Sequence, residues 1–258
     1  MTTHAKNADA FGSATEQVRR HYDDLLAAHF SWMSGMTVAD KAVEQAALLA
    51  GFGLGDRKGG IAVDLGCGPG YQSIALAKLG YDKVIAIDTS RDLLAELQLA
   101  ANDDRIETVL ADLRTFRTML EPGSVSAVVC MGDTLTHLET QADVSTLYRD
   151  AYDALQPNGR LVLTFRDFSQ ELSGVDRFIP VRADDQRIMT CVLEYEIDSV
   201  LITDLIHVRD GDRWELQKSS YRKLRLSPSL QIAELERMGF TIDHNGAGNR
   251  MHTICARK

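Results

Sequence analysis

The sequence predicts an α/β fold, a doubly wound and mainly parallel sheet, on three observations. Short apolar runs alternate with stretches of helical period along most of the chain. One run opens into glycines at alternate positions, Gly66, Gly68 and Gly70, directly behind Asp64 and Leu65. The next run ends in Asp88, about twenty positions further on, where a nucleotide-binding βαβ unit places an acid to accept from ribose hydroxyls.

Each element has its own pattern. Val18, Tyr22, Leu25, Leu26 and Phe30 lie at helical spacing, and Val43, Ala46, Ala47 and Leu49 repeat it, so a helical cap over residues 14–50 precedes the sheet. Residues 60–63 are apolar and partly β-branched, as suits a strand buried on both faces. Residues 73–79 then read as a helix, and residues 83–87 as the second strand. Thr89 or Ser90 caps a helix carrying Leu93, Leu94 and Leu97, before a third strand at residues 106–110. Residues 125–131 form the fourth strand and residues 147–155 a helix, which Pro157, Asn158 and Gly159 stop ahead of a fifth strand at residues 160–164. A helix at residues 230–238 ends at Gly239, and residues 240–242 and 252–254 are the last two strands. Residues 1–258 thus read as one domain.

One segment breaks this rhythm. Leu193, Tyr195 and Ile197 alternate, as do Ile202, Asp204, Ile206 and Val208, and Asp210-Gly211 is a hairpin signal. Residues 176–226 are therefore expected as an antiparallel β excursion over the carboxyl edge of the sheet, serving as a substrate-side lid or wall.

A net charge of −9 argues against nucleic acid as a partner. The basic stretch at residues 221–225 reads as the solvated face of a strand. The four cysteines, Cys67, Cys130, Cys191 and Cys255, are far apart and read as reduced structural thiols, with no metal site expected. No apolar run approaches the roughly 18 residues of a membrane helix. Residues 1–9 lack a basic-then-apolar signal pattern and read as a frayed tail, so a cytoplasmic location is expected.

The glycine loop decides the ligand class. A dinucleotide fingerprint, G-x-G-x-x-G counted from Gly66, needs a third glycine where this chain has Tyr71, and Asp64 is no part of it. The motif Asp64, Gly66, Gly68, Gly70 resembles instead the first motif of class I S-adenosylmethionine-dependent methyltransferases. That resemblance implies a Rossmann-like, seven-stranded sheet with the last strand antiparallel, and S-adenosylmethionine as cofactor. It further implies Asp88, with Thr89 beside it, at the ribose, and Asp112 with Leu113 at the adenine. Gly66, Cys67, Gly68 and Gly70 would admit the methionine part, with Asp64 ordering the loop or reaching the methionine amine through water, and Met131 lining the site. Without the resemblance, Asp112 is an ordinary helix N-cap.

The exit of the fourth strand, residues 130–138, is similar to the glycine N-methyltransferase family, with a cysteine, a glycine and a later His137-Leu138 at matching positions. The likeness extends roughly over residues 14–258 and implies a small-molecule acceptor, an amine or amino-acid-like nitrogen, aligned for direct displacement. Arg166 stands where that family grips a substrate carboxylate, or it pairs with Asp133 or Asp167. Asp133 replaces the family's asparagine, an anion suited to a cationic or amine acceptor. His137 reads as a base, a cofactor contact or a hydrogen-bonded structural histidine. Tyr22 and Tyr195, ahead of Tyr221, are the candidates to line the acceptor pocket, since tyrosine faces attract cations. An oxygen acceptor with Mg²⁺ held by Asp133 and Asp167 is the competing enzyme reading, opposed by Arg166 between those acids. A binding protein without activity and a nicotinamide-dependent oxidoreductase are the other rivals.

Overall fold

The computed structural model describes residues 13–56, 59–248 and 250–258. The frayed tail expected at residues 1–9 lies outside them. Helix α1, Ala14–His21, starts at Ser13, whose Oγ accepts from Glu16 N–H, and runs through a π turn, Tyr22–Leu26, into α2, Ala27–Ser34. Gly35 at φ 76° ends α2, and Thr37 caps α3, Val38–Gly51.

The central sheet begins with β1, Ile61–Leu65, then α4, Tyr71–Lys78, β2, Lys83–Asp88, and α5, Arg91–Ala101, capped by Ser90. It continues with β3, Ile106–Leu110, β4, Val125–Cys130, α6, Gln141–Ala154, and β5, Leu155–Phe165. Strands β6, Phe178–Ala183, β7, Arg187–Tyr195, β8, Ser199–Asp210, and β9, Arg213–Leu224, form a separate antiparallel sheet. After α7, Pro228–Arg237, the chain returns through β10, Thr241–Gly248, and β11, Met251–Arg257. The central order is β10-β11-β5-β4-β1-β2-β3, parallel except that β11 runs antiparallel to both neighbours. This is the seven-stranded, doubly wound sheet expected, with its last strand antiparallel.

Alternate side chains of the buried strands serve opposite faces. Val63 and Leu65 join Tyr148, Phe116 and Leu235 on one side, while Ala62 packs with Leu49 and Leu76 on the other. Each fully buried Val, Leu or Phe side chain contributes about 1.5–3 kcal/mol, which is what fixes the register of a strand this short.

Two sequence expectations need correction. Pro157, Asn158 and Gly159 do not stop the helix. It ends at Ala154, and Leu155, wholly buried, already pairs with Val125; the ladder then jumps to Ala127 opposite Arg160, so the intervening residues form a bulge inside β5. Asn158 takes φ 62° there, and its N–H bonds the carbonyl of Lys258. The stretch at residues 221–225 is not a solvated face either. Lys223 is buried and turned toward Asp133, because Tyr221 and Lys223, two apart, share the inner face of β9.

That inner face is covered by the N-terminal helices. Val18 packs with Phe168, Leu193, Val200, Ile202 and Tyr221, and Leu25 and Leu26 with Met189 and Ile206. His21 Nε2 lies 3.0 Å from Asp204 Oδ2, both side chains buried. Among the described residues no helix is long and apolar enough to cross a membrane.

Candidate active site

A cavity of about 450 Å³ opens where β1, β2 and β4 end. Its floor is the glycine loop, its far end Asp88, Asp112 and Leu113, and its roof Val18, Tyr22 and Phe30 from the N-terminal helices.

The loop is held by the strand beside it. Gly66 and Cys67 N–H both donate to Ile87 O, at 2.8 and 3.0 Å, and Gly68 N–H donates to Asp88 Oδ2 at 2.8 Å. Gly66 at φ 70° has no room for a side chain, since a Cβ would stand 2.2 Å from Thr134 Cγ2. Gly68 at φ 53° meets nothing nearer than Phe30, 3.7 Å away. Gly70, the N-cap of α4, is crowded by Leu97 and does not line the cavity.

Asp88 Oδ1 also accepts from Ser90 N–H at 2.9 Å, and the residue borders the cavity. Burial raises its pKa against the opposing pull of those N–H donors. Asp64 sits beneath the loop, almost fully buried, and accepts from Ser73 Oγ at 2.6 Å. Burial pushes its carboxyl up to about 7, the Ser73 bond working against that shift. Asp64 is not among the lining residues, whereas Cys67 and Thr89 are. Asp112 caps the short turn Leu113–Met119 through Arg114 N–H at 2.8 Å and pairs with the Arg114 guanidinium at 2.7 Å.

The opposite end is rich in aromatic rings. Met131, Gly132, Thr134 and His137 line it, with Gly132 N–H bonded to Thr164 Oγ1 at 2.8 Å. Tyr22, in the π turn, meets the His137 ring edge-on at 5.8 Å, and Phe30 bridges Tyr22 and Tyr71 at 6.1 and 6.4 Å. Burial holds His137 well below the ordinary imidazole pKa, helped by the charge of Lys223 and by His21. His137 Nδ1 and Tyr71 Oη are buried without a hydrogen-bond partner among the described residues, and both residues line the cavity. Buried polar atoms of this kind mark where a ligand's polar groups belong.

The remaining residues singled out from the sequence lie off the wall. Asp133, buried, is bonded by Lys223 Nζ at 2.5 Å, Arg166 N–H at 2.9 Å and Thr136 Oγ1 at 3.0 Å. Arg166 Nε stands 3.4 Å from the same carboxylate, so of its two sequence readings the ion pair with Asp133 is present. Tyr195 packs in the cluster of Phe168 and Leu193, beneath the Arg225 guanidinium. Sequence reasoning overlooked Phe30 and Tyr71 as cavity residues and Lys223 as the partner of Asp133. Phe30 looked like an ordinary core position and Tyr71 only like a break in the dinucleotide spacing, but a lysine between Tyr221 and the apolar Leu224 was a readable signal.

Comparison with known proteins agrees with this geometry. Residues 62–159 match the model of a methyltransferase domain. The glycine/sarcosine N-methyltransferase of Parasynechococcus marenigrum (strain WH8102) is 33% identical over 114 residues, 43% of this chain, and the chain spans 40% of that protein's length. The cypemycin N-terminal methyltransferase of a Streptomyces species is 32% identical over 109 residues, covering 42% of this chain and 43% of that protein. Among solved structures, the CcbJ methyltransferase of Streptomyces caelestis superposes with a TM-score of 0.73 at 19% identity, covering 93% of this chain and 98% of its own. S-adenosylmethionine-bound CalS10, an amino pentose methyltransferase from Micromonospora echinaspora, gives 0.69 at 17% identity, covering 87% and 93%. Residues 62–159 are thus a methyltransferase domain, set in a chain that shares, along nearly its whole length, the fold of solved S-adenosylmethionine-dependent methyltransferases.

Proposed function

We propose that this chain methylates a nitrogen of a small amine or amino-acid-like acceptor, with S-adenosylmethionine as donor. The carrying observation is one continuous cavity with nucleoside-type acids at one end and an aromatic and imidazole wall, Tyr22, Phe30 and His137, at the other. Asp88 offers its carboxylate to the ribose, Asp112 and Leu113 border the adenine, and Gly66 and Gly68 let backbone approach the methionine part. The bound cofactor supplies an already activated methyl on its sulfonium, so no enzyme nucleophile is needed.

The chain's own task is to position, to exclude water and to hold a proton-bearing group. Tyr22 and Phe30 cover the cavity, and the tyrosine face favours a neighbouring cation. His137, kept neutral by burial, places no charge beside a cationic donor, and with Nε2 protonated its Nδ1 accepts an N–H of the incoming amine. Alignment of this kind supplies roughly 7–11 kcal/mol of a barrier. In this reading residues 14–50 and the excursion at residues 176–226 form the acceptor-side cover together, the helices facing the cavity and the sheet holding them from behind. The Asp133 charge is neutralised by Lys223, so it is His137 and the aromatic wall, not a free anion, that favour an amine. The same ammonium opposes a divalent cation between Asp133 and Asp167. The names of the matched relatives, a glycine/sarcosine N-methyltransferase and a cypemycin N-terminal methyltransferase, support nitrogen over oxygen.

Methyl-labelled cofactor incubated with fractionated metabolite extract tests the reading. A basic small molecule gaining about 14 mass units on nitrogen is the expected product. Methylation on oxygen overturns the acceptor class, and cofactor binding with no S-adenosylhomocysteine formed by any fraction overturns the activity.

A further inference from the structure

Strand β9 supplies no residue to the cavity wall among the described residues, yet it carries a buried cation aimed at that wall from behind. The Lys223 side chain is 9% exposed, with Nζ 2.5 Å from Asp133 Oδ2 and 5.5 Å from the centre of the Tyr221 ring. A lysine taken out of water keeps its charge at a large desolvation cost, tolerable only against a close counter-charge that is itself hydrogen-bonded.

Asp133 meets that requirement and is a junction in its own right. It sits at φ 78°, its N–H donates to Thr164 O at 3.2 Å, and its Oδ1 binds Arg166 N–H and Thr136 Oγ1. Its chain neighbours Gly132 and Thr134 line the cavity, and His137 closes the short turn Thr134–His137 that Asp133 opens. Two residues before Lys223, the Tyr221 ring stacks on His137 at 5.5 Å and on His21 at 4.1 Å. One strand of the inserted sheet therefore buttresses this turn at two points.

We propose that Lys223 is a positioning residue for methyl transfer: held on Asp133, its ammonium fixes the turn that presents Thr134 and His137 to the acceptor. This rests on the methyltransferase reading above. The groups facing His137 are His21 from α1, Tyr22 from the π turn, Tyr221 and Lys223 from β9, and Asp133 from its own turn. Burial and then the Lys223 charge keep the imidazole neutral. Loss of the ammonium removes a positive charge that disfavours the imidazolium and leaves Asp133 with only the longer, half-exposed Arg166 contact.

Full-length Lys223→Met, Lys223→Arg, Asp133→Asn and the Lys223→Met/Asp133→Asn double variant test this. The readouts are the His137 titration by NMR, S-adenosylmethionine affinity by calorimetry, and kcat and KM for the acceptor found by labelling. Lys223→Met should keep cofactor affinity within about twofold, raise the His137 midpoint by about one pH unit or more, and lower kcat about tenfold with a smaller change in KM. Lys223→Arg should hold the His137 midpoint, and the double variant should restore part of kcat, because removing both partners leaves no buried charge uncompensated, Arg166 being open to solvent. An unchanged His137 midpoint and kcat in Lys223→Met overturn the proposal. Should that variant fail to fold, a double variant no more active than Asp133→Asn alone overturns it instead. A wild-type protein that neither binds the cofactor nor forms methylated product sinks the functional reading itself, a result distinct from an active wild type with indifferent variants.

Discussion

Asp88 serves two masters at one carboxylate: it bonds the Gly68 N–H of the loop and borders the cavity. Asp88→Ala removes a charged acceptor, an interaction of about 1.5–3 kcal/mol, so S-adenosylmethionine affinity measured by calorimetry should fall more than tenfold. Unchanged affinity would remove the ribose assignment. Asp64 makes a prediction in pH. Its folded pKa, raised by burial from the usual carboxyl range to about 7, means that the folded state holds the proton more tightly than the unfolded one. The stability this contributes is present in full below about pH 4 and is lost as pH rises through about 7. Asp64→Asn, which needs no ionisation, should gain melting temperature relative to wild type between pH 5 and pH 8. A constant difference across that range contradicts the burial argument. Residue type and place were legible here from sequence, because an acid and three glycines between a strand and a helix leave few chemistries. The state of each acid was not, since it depends on partners such as Ser73 and Arg114 that spacing alone does not assign a geometry.

At the scale of elements, the glycines divide by what surrounds them. Gly66→Ala drives a methyl into Thr134 in a left-handed backbone, so the fold itself should lose about 1–3 kcal/mol in chemical denaturation. Gly68→Ala has space toward Phe30 and should cost the fold about 1 kcal/mol, while its added methyl, on a residue that lines the cavity, weakens cofactor binding. Equal stability losses in the two variants would show that the loop's packing is not what separates them. The strands were legible because buried parallel strands must be apolar throughout. The bulge in β5 was not, because Pro157, Asn158 and Gly159 read as a stop, while pairing with the chain end, Asn158 to Lys258 and Lys258 to Gly159, extends the strand through them. Lys223 was misread for a similar reason: charges in a strand are usually outward, and only Asp133, ninety residues away, turns this one in.

Across the whole molecule, the inserted sheet acts on the cavity through the helices that it holds. The buried His21–Asp204 contact ties α1 to β8, and the apolar contacts of Val18, Leu25 and Leu26 run alongside it. Asp204→Ala strands the His21 imidazole in a dry interface and should cost about 1–3 kcal/mol, read as a lower denaturation midpoint. His21→Leu with Asp204→Leu should cost less than the single change, since no polar group is then left alone. A double variant at least as unstable as Asp204→Ala would show that the cost does not come from the stranded polar group. The alternation in residues 187–208 revealed the sheet, but periodicity carries no information about which surface a sheet covers, so the helices were not legible as the cavity's actual roof. The tie also has a consequence in time. His21 and Asp204 are 183 residues apart, and at about 5–20 residues per second a ribosome needs roughly 10–40 s to deliver the second after the first. The helices are therefore made long before the sheet they dock on, and until β7 and β8 emerge the apolar surface that Val18, Leu25 and Leu26 close upon is incomplete.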